Sequence, residues 1–287
     1  MIYQPSTHTF RGTAREGFFT IALQLTRSCN YKCTHCSESE FIHQLDSAHV
    51  YKIIDKLAEH NVQRVNVSGG EPTLRADWQD LISYMADKGL TVSLASNCSQ
   101  LDADTINKLK GKVANIRVSL YGPKEIHEVI TLRSGSFEQV CNTARLARNA
   151  GIPVYACMAI MKSNLAQAAK VLEICKTLEM EKLLIYSLVP KGRGKDIYER
   201  EGLTRTEAIN ALGEVRDMTE VYWSPFDKDG ICALIQADGS LVATPYFGND
   251  ERVQHVGFAH MESLDELWGK YPFKENYLSF NSEKLKC

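Results

Sequence analysis

The chain has 287 residues, of which 44% are hydrophobic and 24% charged, and its formal net charge is −2. This length suits one large α/β unit with a small appendage, and the composition is that of an ordinary globular protein. The near balance of 33 basic and 35 acidic residues provides no basic field that would favour a nucleic acid or a membrane as partner.

Residues 1–20 are predicted to be a lead-in to the first strand. They contain no apolar core followed by a cleavage site, so they do not have the pattern of a signal peptide. The apolar run at residues 18–25 is too short to cross a bilayer. We therefore expect a cytoplasmic protein.

Short apolar strands and helical stretches alternate between residues 21 and 190. The predicted strands cover residues 21–25, 64–68, 91–96, 116–121, 153–160 and 182–189. The predicted helices cover residues 47–60, 76–88, 103–110, 136–150 and 165–178. Six β-α repeats indicate a parallel sheet with right-handed crossovers, either a partial barrel or an open doubly wound sheet. In both architectures, ligands bind at the C-terminal ends of the strands.

The pattern changes after about residue 190. The KGRGK segment (191–195) and the charged run after it are predicted to be a connection, followed by a helix over 204–219. Turn signals at Asp229-Gly230 and Asp238-Gly239 flank short apolar runs and indicate a β-hairpin, and a helix is predicted around 263–271.

We predict an α/β fold: a partial (β/α)6 TIM-like barrel with a small C-terminal α+β extension. The predicted units are the lead-in (1–20), the barrel domain (21–220) and the extension (221–287).

Three of the nine cysteines form a C-x3-C-x2-C motif directly after the first strand: Cys29, Cys33 and Cys36. Since a reducing compartment disfavours disulfides, such a cluster points to metal binding. Thiolates select iron–sulfur clusters, zinc or Cu(I), and three ligands leave one iron of a cubane open. Zinc with His35 as a fourth ligand remains an alternative, as do three plain core cysteines.

A second motif, Gly-Gly-Glu-Pro, ends the second predicted strand and consists of Gly69, Gly70, Glu71 and Pro72. In this combination and order, the two motifs resemble the signature of the radical S-adenosylmethionine superfamily. The resemblance implies a [4Fe–4S] cluster on the three cysteines, with S-adenosylmethionine bound at the open iron. It implies reductive cleavage of S-adenosylmethionine to a 5′-deoxyadenosyl radical that abstracts a substrate hydrogen. A reductant such as flavodoxin or ferredoxin would supply the electron.

The resemblance also implies cofactor contacts outside the cysteine motif. Gly69 and Gly70 are expected to let the backbone approach the ligand closely. The residue before the third cysteine, commonly aromatic in the family, is His35. Arg133 is expected to pair with the methionyl carboxylate, because a guanidinium can bind a carboxylate through two hydrogen bonds. In the family, the ends of the third and fourth strands face the cofactor, and in this sequence those ends carry Ser96, Asn97 and Ser119. Ordinary caps or surface residues are the alternative for these positions.

The remaining cysteines of the barrel domain lack ligand spacing and are predicted to be core residues; they are Cys98, Cys141, Cys157 and Cys175. The Gly-Arg-Gly of KGRGK is interpreted as either a phosphate or carboxylate contact or a solvated turn.

The extension resembles the SPASM or twitch domain of peptide-modifying and haem-modifying relatives. Cys232, Asp238-Gly239, Gly257 and Leu267-Trp268 match its pattern, whereas the second cysteine position falls near Thr244-Pro245. With Cys287 as the only other cysteine there, a second cluster is not expected. Cys232 is interpreted first as a packing residue, then as a catalytic hydrogen donor and last as a ligand.

The function predicted from the sequence is hydrogen abstraction from a peptide or peptide-like substrate. Modification of a tetrapyrrole or another small biosynthetic intermediate is the alternative enzyme. A non-catalytic iron–sulfur sensor or accessory protein is the alternative from another class.

Overall fold

The protein alternates strands and helices along its chain in a computed structural model that describes residues 2–4, 9–11, 17–38, 44–213, 215, 218, 220–224, 232–244 and 253–283. The strands are β1 (Ile2–Gln4), β2 (Thr9–Arg11), β3 (Thr20–Thr26), β4 (Arg64–Gly69), β5 (Thr91–Ser96), β6 (Asn115–Ser119), β7 (Val154–Ile160), β8 (Lys182–Ser187), β9 (Val221–Ser224), β10 (Cys232–Ile235), β11 (Ser240–Thr244) and β12 (Gln254–Phe258).

Helices connect these strands and follow them at the end of the chain. They are α1 (Ser47–Glu59), α2 (Trp78–Asp87), α3 (Ala103–Leu109), α4 (Lys124–Thr131), α5 (Ser136–Asn149), α6 (Ala168–Thr177), α7 (Gly194–Glu201), α8 (Arg205–Leu212), α9 (Leu264–Lys270) and α10 (Lys274–Glu283). Within the described part of the chain, every helix is too short or too polar to span a membrane.

One sheet contains ten strands in the order β12-β11-β10-β3-β4-β5-β6-β7-β8-β9. The strands from β3 to β9 run parallel, β10 joins β3 in parallel, and the β11 and β12 pairings are antiparallel. All six predicted strands are present as β3 to β8, and the α/β partial barrel is confirmed.

The sheet must curve to satisfy the chain connectivity. Only residues 225–231 separate the end of β9 from the start of β10, so the joint between Ser224 and Cys232 reaches at most about 29 Å. In a flat sheet, the seven interstrand spacings between β10 and β9 would amount to about 34 Å. Closure towards a barrel removes this conflict.

The two faces of the sheet differ in chemistry. Val65 and Val92 are aligned neighbours on the outer face and belong to a core with the buried side chains of the surrounding helices. The alternate residues Asn66, Ser93 and Asn115 are aligned on the inner face, because successive side chains of a strand point to opposite faces. This part of the barrel therefore has an apolar outer face and a polar inner face.

The helices that cover the outer face begin at recognisable signals. Asp46 caps α1 by accepting a hydrogen bond from the backbone of His49, and the buried residues of α1 lie on one stripe: Val50, Ile53, Ile54 and Leu57. Each of these side chains stabilises the fold by about 1.5–3 kcal/mol through removal from water.

The C-terminal segment seals the amino end of β3. The Tyr277 hydroxyl accepts hydrogen bonds from the backbone N–H groups of Phe19 and Thr20, both at 3.0 Å, and donates one to the Thr20 carbonyl at 2.6 Å. Phe18 makes edge contacts with Trp268 and Tyr271 at centroid distances of 5.0 and 5.2 Å. The hairpin β10–β11 extends the barrel sheet across the predicted boundary at residue 221.

Several elements differ from the sequence prediction. The segment predicted as a connection after residue 190 contains α7, in which only Gly194 is buried, so no apolar stripe marks it as a helix. The predicted helix over 204–219 ends at Leu212, before Gly213. Six further elements were not predicted from the sequence: β1, β2, α4, β9, β12 and α10. Asp229-Gly230, Pro245 and Cys287 lie outside the described residues.

Candidate active site

The cysteine motif lies in the loop after β3, at the C-terminal edge of the sheet. Cys29 is exposed, whereas Cys33 and Cys36 are half-buried. The Cys36 N–H donates to the Cys33 carbonyl at 3.3 Å, and Thr34 donates to the backbone of Ile130 at 2.9 Å, next to the end of α4. These bonds fold the loop into a compact turn on the barrel rim.

The three thiols lie close enough to influence one another electrostatically. Burial raises the pKa of Cys33 to about 12, and the neighbouring Cys36 and Cys29 raise it further. Burial also raises the pKa of Cys29 and of Cys36. Without a cation, three thiolates would repel one another here, and a bound metal centre would remove this penalty.

Hydrogen-bond donors surround the first of these sulfurs. The backbone N–H of Tyr31 approaches Cys29 Sγ at 3.4 Å, and Asn97 Nδ2 approaches it at 3.8 Å. Donors of this kind stabilise thiolate ligands and tune an iron–sulfur cluster. The donor set therefore fits a cluster held by this loop.

The arrangement disfavours the zinc alternative. Among the described residues, no three His, Cys, Asp or Glu side chains converge on a single ion. Tetrahedral zinc would need its sulfur ligands only about 3.8 Å apart, since each Zn–S bond is about 2.3 Å. In a cubane, each thiolate binds a different iron. A cluster therefore needs its sulfur ligands farther apart than zinc does.

The two glycines at the end of β4 pack against the base of the cysteine loop. Gly70 donates to the Thr26 carbonyl and Glu71 to the Ser28 carbonyl, both at 2.8 Å. A Cβ on Gly69 would lie 2.1 Å from the Thr26 oxygen, and one on Gly70 would lie 2.3 Å from the Arg27 oxygen. A close approach of the glycine backbone was expected towards a ligand; here it is observed towards the backbone at the start of the cysteine loop.

Glu71 is a fully buried carboxylate whose oxygens both accept hydrogen bonds. The backbone N–H of Asn97 donates to Oε2 at 2.6 Å. Oε1 accepts from Thr73 Oγ1 at 2.6 Å, from the Thr73 backbone at 3.2 Å and from Ser96 Oγ at 2.9 Å. Burial raises the pKa of the carboxyl, and these four donors oppose the rise. Two of these donors belong to Ser96 and Asn97, so Glu71 positions both residues.

Pro72 lies beside this carboxylate and is buried as the first residue of a short 3₁₀ turn, Pro72–Leu74. It shapes the loop, because its fixed φ suits the first position of a turn.

Asn97 also joins a polar network with residues that the sequence analysis did not identify. Its Nδ2 donates to Asn30 Oδ1, Asn30 donates to Ser99 Oγ, and the Ser99 backbone donates to Asn97 Oδ1, each at 2.9 Å. Cys98, between Asn97 and Ser99, has a left-handed backbone with φ of 70°. The signal for this network was the polar run directly after a predicted strand.

His35 lies against a pair of rings at the end of β6. Its ring is 4.3 Å from that of Tyr121, which stacks on His127 at 5.5 Å and an interplanar angle of 16°. Burial lowers the pKa of His35 to about 4, with Arg193 and His127 adding to the shift, so the imidazole is neutral. His35 Nδ1 is buried without a hydrogen-bond partner among the described residues, which leaves a polar atom for a ligand.

Two further predicted cofactor contacts are Ser119 and Arg133. Ser119 ends β6 on the lumen face, aligned with Cys157 of β7. Arg133 is exposed, and its guanidinium carbon lies 6.0 Å from the centre of the Tyr31 ring. Arg133 is therefore adjacent to the cysteine loop and accessible to an anionic group.

Cys232 does not join the other predicted site residues. Leu234 pairs with Ala22, so Cys232 is level with Thr20, six residues or about 20 Å along the strand from Thr26. Burial raises the pKa of Cys232 to about 11 against the opposing effect of Arg117 and Arg64. Cys232 is therefore a thiol at the amino end of the barrel. Its interpretation as a hydrogen donor required a position at the opposite end, at the barrel mouth.

Three other cysteines are buried as predicted: Cys98, Cys141 and Cys175. Cys157 is half-buried on the lumen face instead.

Residues 23–175, which contain both motifs and the strands β4 to β7, match the Radical SAM superfamily. The chain belongs to this superfamily. Radical SAM enzymes use a [4Fe–4S] cluster and S-adenosylmethionine, and the solved relatives include chains with that cofactor bound.

Curated radical SAM relatives differ in what their names say they make. Fe-coproporphyrin III synthase of Methanosarcina barkeri is 28% identical over 69% of this chain and 51% of its own length. Sporulation killing factor maturation protein SkfB of Bacillus subtilis is 29% identical over 53% of this chain and 38% of its own length. The chain thus spans about half the length of the first of these relatives and less of the second.

The solved structure of anSMEcpe with bound AdoMet and the Cp18Cys peptide has the same fold. It superposes with a TM-score of 0.71 at 16% identity, covering 92% of this chain and 84% of that one. The similarity extends beyond the barrel into the C-terminal segment.

Proposed function

We propose that this radical SAM protein abstracts a hydrogen atom from a carbon of a peptide or peptide-like substrate. The observation that supports the proposal most directly is the position of the three thiols. They lie in the loop after β3, at the C-terminal edge of the sheet, and the start of that loop accepts hydrogen bonds from the backbone of Gly70 and Glu71. When bound, the cluster and S-adenosylmethionine supply the radical that takes the hydrogen atom.

The residues around the loop have separate roles in this proposal. Cys29, Cys33 and Cys36 bind the cluster. Asn97, held by Glu71, donates towards the cluster ligand Cys29. Arg133, exposed beside the loop, pairs with the methionyl carboxylate of S-adenosylmethionine.

The rest of the cofactor site comes from the lumen side of the loop. His35 offers a buried nitrogen towards the adenosyl group. Ser119 lies on the lumen face below it, where the substrate carbon must be presented to the radical.

We take a peptide as the first candidate substrate. Ser68 of β4 and Ser119 of β6 lie on the inner face near the C-terminal edge and are half-buried, and their hydroxyl groups suit the N–H and C=O groups of a peptide backbone. Ser93 and Asn115 lie deeper on this face, where they are buried and hydrogen-bonded to each other. The peptide-modifying relatives are consistent with this class of substrate.

A tetrapyrrole is the second candidate substrate. It is favoured by the relatives named as Fe-coproporphyrin III synthase and haem synthase. An electron donor such as flavodoxin or ferredoxin would serve either reaction. The eight described cysteines are free thiols, which is consistent with a reducing cytoplasm.

The test is anaerobic reconstitution followed by reduction with dithionite in the presence of S-adenosylmethionine. We expect four irons per chain and slow formation of 5′-deoxyadenosine without substrate. Deuterium from a labelled peptide, but not from a labelled porphyrinogen, should then appear in 5′-deoxyadenosine. Transfer from the porphyrinogen alone would select the second candidate. A reduced cluster that binds no S-adenosylmethionine would indicate a sensor.

A further inference from the structure

The Gly192–Gly194 segment, which lies about 160 residues after the cysteine motif, packs directly on it. Arg193 Nε donates to the Cys33 carbonyl at 2.9 Å. The backbone N–H of Gly194 donates to the Cys36 carbonyl at 3.1 Å. The segment therefore contacts the backbone at two of the three proposed cluster ligands.

Both glycines are needed for this close contact. Gly192 has φ of 50°, and a Cβ there would lie 2.7 Å from the Cys36 oxygen and 2.6 Å from the Glu38 oxygen. A Cβ on Gly194 would lie 2.7 Å from the Val189 oxygen and 3.1 Å from the His35 oxygen. Two side chains at these positions would push the cysteine loop away from the segment.

The same segment brings positive charge to the loop. Gly194 is the first residue of α7, and its N–H points at the Cys36 carbonyl, so the positive end of the helix dipole faces the loop. The guanidinium of Arg193, whose Nε lies 2.9 Å from the Cys33 carbonyl oxygen, adds a full positive charge at the same place. The segment thus places both a cation and a helix N-terminus against the cysteine loop.

We propose that Arg193 is a positioning residue that holds the cysteine loop through the Cys33 carbonyl and makes the bound cluster easier to reduce. The inference rests on the proposed ligation by the three cysteines. Reduction adds one electron from the reductant to the cluster and breaks no bond. A nearby cation stabilises the extra negative charge, because charge and hydrogen bonds around a cluster set its reduction potential.

The first test is a redox titration of the reconstituted protein. The electron paramagnetic resonance signal of the reduced cluster measures how much of the cluster is reduced at each potential. Arg193→Gln should lower the ratio of reduced to oxidised cluster at a fixed potential at least tenfold, which is 59 mV for a one-electron couple. Arg193→Lys, which keeps the charge, should shift the ratio less. Arg200→Gln is the control, because Arg200 is exposed on the same helix and pairs with Glu201.

A purely structural role would leave the ratio unchanged in Arg193→Gln protein with full iron content, and this result would overturn the proposal. If Arg193→Gln does not retain iron, the comparison uses Arg193→Lys at full iron content. A ratio for Arg193→Lys that equals the wild-type ratio would then be the expected result, and a tenfold fall would contradict the role of charge.

The second test separates contact with the loop from backbone strain. Gly192→Ala should lower iron content severalfold, since its Cβ would collide with the cysteine loop. Gly213→Ala is the matched control: Gly213 has φ of 48°, and no atom of the described residues lies within 4 Å of its Cβ position. Equal iron in both variants, at equal thermal stability of the apoproteins, would contradict the contact. Failure of the wild-type protein to bind iron would instead refute the proposed function.

Discussion

The backbone N–H of Asn97 donates a hydrogen bond of 2.6 Å to the buried carboxylate of Glu71. This bond joins the loop after β4 to the loop after β5. Asn97 in turn approaches Cys29 Sγ through its side chain. The buried carboxylate thus fixes the position of the amide that approaches the Cys29 sulfur.

The first prediction concerns this carboxylate. Glu71→Gln replaces one acceptor oxygen with an NH₂ group, which then faces an N–H or O–H donor. An unsatisfied buried polar group costs about 1–3 kcal/mol, so we expect a loss of that size in the free energy of unfolding. Chemical denaturation of the apoprotein measures it. Asn107→Ala, on the surface of α3, should stay within about 0.5 kcal/mol of wild type.

The second prediction concerns the cluster ligands. Cys29→Ala, Cys33→Ala and Cys36→Ala should each lose most of the reconstituted iron, because a cubane with two protein ligands is poorly held. Iron analysis and the absorbance of the cluster measure this. Cys141→Ala, a buried cysteine on α5, should keep its iron. Retention of full iron in all three loop variants would refute the assignment of these ligands.

The third prediction concerns the packing of Gly70. Gly70→Ala should destabilise the protein by about 1–3 kcal/mol or more, because the new Cβ overlaps backbone oxygens that cannot move independently. Gly269→Ala is the control, since it lies in α9 with open space around its Cβ position. There the substitution should stabilise by about 0.5–1 kcal/mol. Thermal unfolding of both apoproteins checks the contrast, which equal stabilities would contradict.

The fourth prediction concerns Arg133. Arg133→Lys should weaken S-adenosylmethionine binding about tenfold or more, because a hydrogen bond to a charged group contributes about 1.5–3 kcal/mol and lysine cannot bind a carboxylate through two. Equilibrium binding to the reconstituted protein measures this. Arg148→Lys, at an exposed ion pair with Glu179, should bind as wild type does. An unchanged affinity in Arg133→Lys would exclude the carboxylate contact.

The fifth prediction concerns Cys232. Because Cys232 lies at the amino end of the barrel, Cys232→Ala should leave iron content, S-adenosylmethionine cleavage and turnover at wild-type levels. We expect a cost of about 1 kcal/mol in stability from the lost packing. A fall in iron by about half would identify Cys232 as a ligand. Accumulation of substrate radicals without product would identify it as a hydrogen donor.

The sequence predicted the strands β3 to β8 because each is an apolar run bounded by polar turns. Elements without that signal were missed. In α7, a glycine is the only buried residue, and Ile197 and Tyr198 are the only large hydrophobic side chains. The strand β9 has only four residues. Such elements form because the rest of the fold offers them a partner, and a local pattern does not contain that information.

The sequence by itself determined the family, the cysteine motif and the edge of the sheet on which both motifs lie. These follow from spacing and strand order, which are local properties of the chain. Only the tertiary structure decided that Glu71 accepts four hydrogen bonds, that Arg193 contacts the cysteine loop and that Cys232 lies at the far end of the barrel. Each of these depends on contacts between segments distant in sequence, and their geometry is set by strand register and packing.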